Sequence, residues 1–156
     1  MRFRILGVGE YKLNFLAEGE SDFMKRLKRY CRIEVRWLRS EKIGAHRSKD
    51  EMLHMEGKQL LSKIPEQSIV VALDRQGEGL SSEAFSDKIN RWMNRSVKEV
   101  VFVIGGPLGL DKTVLKKADF ILSFSMMTFT HEMIRLLLLE QLYRAFTILR
   151  GEKYHK

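Results

Sequence analysis

Apolar side chains in this chain follow two alternating patterns. Short runs of consecutive or alternating hydrophobic residues are separated by longer stretches in which such residues recur every three to four positions. Phe3 to Val8 predicts a strand, with Gly7 and Gly9 ending it. Leu13, Leu16, Phe23, Met24 and Leu27 share a helical spacing. From Arg32 to Leu38 charged and apolar residues alternate, which predicts a strand with one solvated, strongly basic face. A polar loop, Glu41 to Arg47, leads to a helix from Lys49 to Lys63 that stops before Pro65. Ser68 to Leu73 then predicts a fully buried strand. Ser81 or Ser82 can cap a helix that carries Phe85, Ile89, Trp92 and Met93 on one side. Glu99 to Ile104 predicts the next strand, Leu110 to Lys117 a short helix, and Phe120 to Phe124 the last strand. The longest helix runs from His131 to Leu149 and ends at Gly151.

Strands thus alternate with helices, and the central strands are continuously hydrophobic. That pattern predicts an α/β fold, a parallel sheet with helices on both faces. Neither a linker nor a repeat divides the chain, so residues 1–156 are expected to form a single domain. The last helix is apolar over more than one stripe, through residues such as Leu136, Leu139, Leu142 and Phe146. Such a helix is either central to the fold or half buried in a partner subunit, and a homodimer is the economical partner.

Composition narrows the class. A domain of 156 residues can bury roughly 70% of its unfolded surface. With 44% hydrophobic and 31% charged residues the chain reads as globular, neither disordered nor fibrous. Cys31 is the single cysteine, which excludes an internal disulfide framework and fits a reducing cytosol. Met1 to Leu6 runs into glycine and charge too early for a signal peptide. Arg135 and Glu140 interrupt the apolar helix around Ile134 to Leu142, which falls short of the ~20 residues of a membrane span. A cytoplasmic protein outside the membrane is expected. Against 20 Asp and Glu stand 28 Lys and Arg, a net charge of +8. Lys25, Arg26, Lys28, Arg29, Arg32, Arg36 and Arg39 fall in one stretch with Tyr30 and Trp37 among them. This reads either as a solvated face or as a contact for RNA phosphates, and the whole-chain excess favours RNA.

Familiar site patterns can be tested in turn. Gly105 to Thr113 does not satisfy a phosphate loop at any offset. Gly7-Val8-Gly9 follows a strand, but Lys12 stands where a dinucleotide fingerprint needs its third small residue, and Arg39 and Ser40 stand where it needs an acid. His131 has Arg135 four residues on, where a zinc-protease helix needs its second histidine. With one Cys and four scattered His no metal site is expected. What remains is three loops at successive strand ends: Leu73 to Gly77, Gly105 to Leu110, and Phe124 to Thr130. Glycines there let a ligand approach the backbone closely. Apolar walls with backbone donors and acceptors suit an adenine ring and a zwitterionic tail. Residue pattern alone supports an α/β protein with a nucleoside-like pocket and an affinity for RNA. An RNA- or ribosome-binding protein that senses a nucleoside without catalysis fits it as well as an enzyme does.

The runs V-F-V-I-G-G-P-L-G-L, S-F-S-M-M-T-F-T-H-E-M-I-R, E-Q-L-Y-R-A-F and G-E-K-Y-H-K together resemble the SPOUT family of methyltransferases, in particular members acting on a pseudouridine of large-subunit (23S) ribosomal RNA. The resemblance spans essentially the whole chain. It implies a C-terminal deep trefoil knot, a homodimer, S-adenosyl-L-methionine bound in the knot, and methyl transfer to N3 of the pseudouridine on the ribosome. Leu73, Gly105, Phe124, Ser125, Met126, Met127, Thr128 and Phe129 match the family's cofactor-binding positions, and Gly106 and Gly109 belong to the same motif. His155 is the implied residue for proton handling or base orientation, with Tyr154 beside it, followed by Lys156; Arg135 and Arg144 are assigned to RNA phosphates or to dimer salt bridges. Two positions depart from the pattern. Thr130 replaces the proline usual before His131, and Leu108 occupies a position often polar or acidic.

Overall fold

The computed structural model describes residues 1–9, 13–39 and 48–155. The expected loop Glu41 to Arg47, together with Lys12, Ser40 and Lys156, lies outside them. In chain order the elements are β1 (Arg2–Val8), α1 (Asn14–Leu27), β2 (Arg32–Leu38), α2 (Lys49–Leu61), β3 (Ile69–Gly79), α3 (Ser82–Asn94), β4 (Glu99–Ile104), α4 (Lys112–Lys117), β5 (Phe120–Ser123) and α5 (His131–Leu149). The strands pair in the order β2-β1-β4-β3-β5, and every pairing is parallel.

Alternation along each strand divides the core in two. Phe3 and Ile5 of β1, Val71 of β3, and Val100 and Phe102 of β4 face a layer built from α1, α3 and α5. Their neighbours Leu6, Val8, Val70, Ala72, Val101 and Val103 face the other layer, against Leu60 of α2 and Val114 of α4. Both faces are covered, so the central strands have no polar side. Crossovers moving one way along the sheet (α1, α3) use one face, and those moving the other way (α2, α4) use the opposite face. All four therefore share one hand.

Helix boundaries follow local chemistry. At α2 the Glu51 N–H donates to Ser48 Oγ at 3.2 Å while the Ser48 N–H donates to the Glu51 carboxylate at 2.8 Å, a capping box. Ser81 caps α3, accepting from the Ala84 N–H. At the far end of α5 the Glu152 N–H reaches Thr147 O and the Gly151 N–H reaches Ile148 O, a closure that needs the left-handed φ of +64° at Gly151.

One expectation changes, and one of two alternatives is met. β3 does not end at Leu73: Leu73 and Glu78 both pair with Leu122 of β5, so residues 74–77 bulge out before the strand resumes. Asp74 accepts the Gln76 N–H at 2.9 Å to close that bulge, and Gly77 lies directly against the Ile121 backbone, where a Cβ would collide. The apolar excess of α5 is accounted for inside the protomer, because α5 lies against both α1 and α3. Leu136 packs on Gly19 of α1. From α3, Ser86 Oγ donates to Ala145 O at 3.0 Å and Ser82 Oγ to Gln141 at 2.7 Å.

Candidate active site

β1 and β4 are neighbours whose chains leave toward opposite faces, which opens a crevice at the carboxyl end of the sheet. At the same carboxyl end, displaced from β1 towards β5, a cavity of about 710 Å³ is bounded by the ends of β3, β4 and β5 and the first turn of α5. Leu73, Gly105, Gly106, Gly109, Phe124, Ser125, Met127, Thr128 and Phe129, all expected from the sequence, line it. Met126 does not: its side chain is 93% exposed and turned away from the cavity. The chain bends at 126–127, and the Met127 N–H donates to Ser125 Oγ at 3.0 Å.

The β4–α4 loop forms one wall. Gly109 has φ +89°, a conformation that favours glycine, and its N–H donates back to Gly106 O at 3.0 Å. A Cβ on Gly105 would run into the carbonyl of Gly109. The loop is therefore folded flat on itself, and Pro107 and Leu108 join its glycines in lining the cavity. Asp111 closes it by capping α4 through the Thr113 N–H at 2.8 Å. Burial pushes the Asp111 carboxyl up, but hydrogen bonds from Thr113 and the nearby His54 outweigh that and hold it below the usual range.

Asp74 and Arg75, from the expected loop Leu73 to Gly77, also line it, whereas sequence reasoning missed His131, Glu132 and Ile134 on the first turn of α5. Their signal was adjacency to residues already singled out. Thr130, where the family resemblance implies proline, is the N-cap of α5, accepting the Met133 N–H at 3.3 Å. Its φ of −64° is one a proline ring also adopts, so the exchange preserves the entry to the helix.

Arg135 is corrected from a phosphate-binding residue to a buried pin. Its side chain is 0% exposed, its guanidinium stacks 4.0 Å from the Trp37 ring, and Nη2 donates to the carbonyls of Val8 and, at 3.0 Å, Gly9. It ties the end of β1 to α5 and so sets the cavity's far wall. No surface is left on it for RNA. Cys31 is half-buried, and desolvation pushes its thiol up to about 12, which leaves it inert.

The chain's last described residues assemble elsewhere. His155 Nε2 lies 2.7 Å from Glu83 and its Nδ1 3.5 Å from Arg144. Tyr154 donates to Glu140 at 3.1 Å, which Arg144 also bonds, and packs edge-on against Tyr143. Burial and the Glu140 charge raise the Tyr154 hydroxyl above its ordinary value. Glu140 and Arg144 stand nine and thirteen residues beyond His131 along α5, about 13–20 Å away at the helical rise. Within one protomer, then, Tyr154, His155 and Arg144 do not meet the cavity. Lys25 and Arg29 are exposed around the end of α1, while Arg26 pairs with Asp22 at 2.8 Å and covers Phe23.

A parallel sheet with a glycine-walled, nucleoside-sized cavity at its carboxyl end defines a small-molecule-binding α/β protein. The family model described as "Predicted SPOUT methyltransferase" matches residues 1–155, and the chain belongs to that family. It is 49% identical over 157 residues to the ribosomal RNA large subunit methyltransferase H of Desulfotalea psychrophila and 43% identical over 159 residues to that of Halothermothrix orenii, covering 100% of each chain in both cases. Among solved structures it resembles a probable methyltransferase from Bordetella pertussis (TM-score 0.59, 12% identity, 92% of this chain and 95% of that one). A probable methylase family protein from Haemophilus influenzae matches with TM-score 0.56 at 11% identity, over 99% of this chain and 70% of that one. At these identities the two structures speak for the fold alone. Among the described residues no helix is long and apolar enough to cross a membrane.

Proposed function

We propose that this methyltransferase transfers the methyl group of S-adenosyl-L-methionine to N3 of a pseudouridine in 23S ribosomal RNA, as a cytoplasmic homodimer acting on the ribosome. The observation that carries the cofactor assignment is the Gly105–Gly109 wall, which lines the cavity and is folded so tightly that a Cβ on Gly105 would meet the Gly109 carbonyl. Around it Leu73, Ile104, Leu122, Phe124 and Ile134 supply apolar walls for an adenine ring, and Asp74 and Glu132 place carboxylates near a cationic sulfonium. The cavity volume lies in the range of small-molecule sites. When bound, the cofactor supplies an already activated methyl group. The chain's own task is to hold the acceptor nitrogen in line and take its proton.

His155 and Tyr154 are our candidates for that proton and for orienting the base. Because they stand away from their own protomer's cavity, the reading requires that a two-fold partner bring its tail to it. The surface supports such pairing. Leu13 and Phe15 follow the end of β1, Leu108 follows β4, and Met126, Met127 and Phe129 follow β5, so these exposed large hydrophobics gather at one end of the sheet. On the same reading the C-terminal segment is knotted: after edge strand β5 the chain returns over the ends of β3 and β4 to seat α5 beside β1, a path suited to threading. Calorimetry with S-adenosyl-L-methionine and incubation of the purified protein with methyl-labelled cofactor and free rRNA, large subunits or assembled ribosomes test the proposal. Micromolar binding and label on N3 of one 23S pseudouridine are expected. Absence of cofactor binding, or label that never appears on RNA, overturns it in favour of a non-catalytic binder.

A further inference from the structure

At the opposite, amino-terminal end of the sheet a second cleft of about 580 Å³ opens between Met1, Arg2, Tyr30, Arg32, Lys98 and Glu99. Strand register builds it. Arg2 of β1 pairs with Arg32 of β2, and the Arg2 N–H donates to Lys98 O at 2.9 Å, so three cationic side chains start from adjacent chains about 5 Å apart. All three residues are exposed. Both neighbouring carboxylates are engaged elsewhere: Glu99 holds Arg4 at 3.0 Å, and Glu152 accepts the Tyr30 hydroxyl at 2.6 Å. Tyr30 is immobilised as the floor, stacked on Phe146 with ring centroids 5.6 Å apart, and Arg150 and Arg29 carry the positive charge outward over its ring.

Like charges on directly paired strand residues repel and destabilise the sheet. Here the Arg2–Arg32 pair, with Glu99 opposite Arg2 drawn towards Arg4, stands at an open cleft with a cationic rim, the arrangement an extended polyanion relieves. We propose that this cleft binds the phosphodiester backbone of ribosomal RNA at a second point, remote from the methylated base. The inference rests on the rRNA substrate reading. From the cofactor cavity the cleft is removed by the length of the strands, about 20 Å at 3.3 Å per residue. A grip there would fix the register of a small enzyme on a large RNA without taking part in chemistry.

The test compares wild type with the triple variant Arg2→Gln/Arg32→Gln/Lys98→Gln, and with a control of equal charge loss on the α2 and α4 side, Lys58→Gln/Lys112→Gln/Lys116→Gln. Binding to purified large subunits and to free 23S rRNA is measured from low to high salt, beside steady-state methylation and calorimetry with S-adenosyl-L-methionine. We expect the cleft variant to flatten the slope of log affinity against log salt by about 2–3, since each lost phosphate contact removes roughly 0.7–0.9. Its KM for the ribosomal substrate should rise at least tenfold, with kcat at saturation and cofactor affinity unchanged, and the control should stay near wild type. Equal effects in both variants, or none in either, overturn the proposal. If the wild type shows cleft-dependent RNA binding yet methylates no RNA, the cleft stands and the substrate reading falls. Should the wild type methylate and the cleft variant match it, only the cleft falls.

Discussion

On the proposed reading, the cofactor site depends at Gly105 on a single missing methyl. In a Gly105→Ala variant the new Cβ meets the Gly109 carbonyl, which is backbone in a loop already held by its own hydrogen bond to Gly106. The loop must open, and the wall facing the cavity moves. S-adenosyl-L-methionine affinity is expected to fall by at least tenfold, about 1.4 kcal/mol, measured by calorimetry, with a smaller loss in Tm. Unchanged affinity would show that the wall does not contact the cofactor. Arg135 makes the complementary point. On a helical wheel it is one more surface cation, yet its acceptors are carbonyls at the end of β1 and its lid is an indole from β2. Nothing local marks it as buried, because those partners are more than ninety residues away.

At the scale of elements, the short helix α4 depends on its cap. The Asp111 carboxyl, held below its ordinary value of about 3.8, contributes stability that is fully present above that value. This stability is lost as pH falls through the lower folded-state value. Asn caps a helix as well as Asp but does not ionise. Asp111→Asn should therefore melt about 2–4 °C below wild type at neutral pH, the shift expected for ~1 kcal/mol in a domain of this size. In melts followed by circular dichroism that gap should close as pH drops below 3.8. A constant gap across pH would contradict the assignment. Because α4 begins where the glycine loop ends, the same cap steadies the cavity wall. Element boundaries elsewhere were readable from Ser81 and Gly151, whose side chain or backbone acts within one turn. The β3 bulge was not, since residues 74–77 are defined by what β5 offers on either side.

For the whole molecule, the separation of tail and cavity makes an assembly prediction. Gly105→Ala disables the cavity and His155→Ala the tail, so each homodimer should be inactive. Mixed dimers would pair one intact cavity with one intact tail. Random re-assortment of equal amounts should restore roughly a quarter of wild-type methylation, half the dimers having one of two sites complete. Recovery is measured on ribosomes after co-expression, and none would place both parts in a single protomer. The sequence by itself determined the alternation of strands and helices, the two-faced burial of β1, β3 and β4, and the glycine loops at their carboxyl ends. Those depend on side-chain period and backbone freedom, which are local. Tertiary structure alone decided that Arg135 is buried, that Met126 points outward, that α5 finds cover on α1 and α3, and that Tyr154 and His155 rest by Glu83 and Glu140. Each of these depends on which distant residue arrives opposite, and such meetings are set by packing the whole chain.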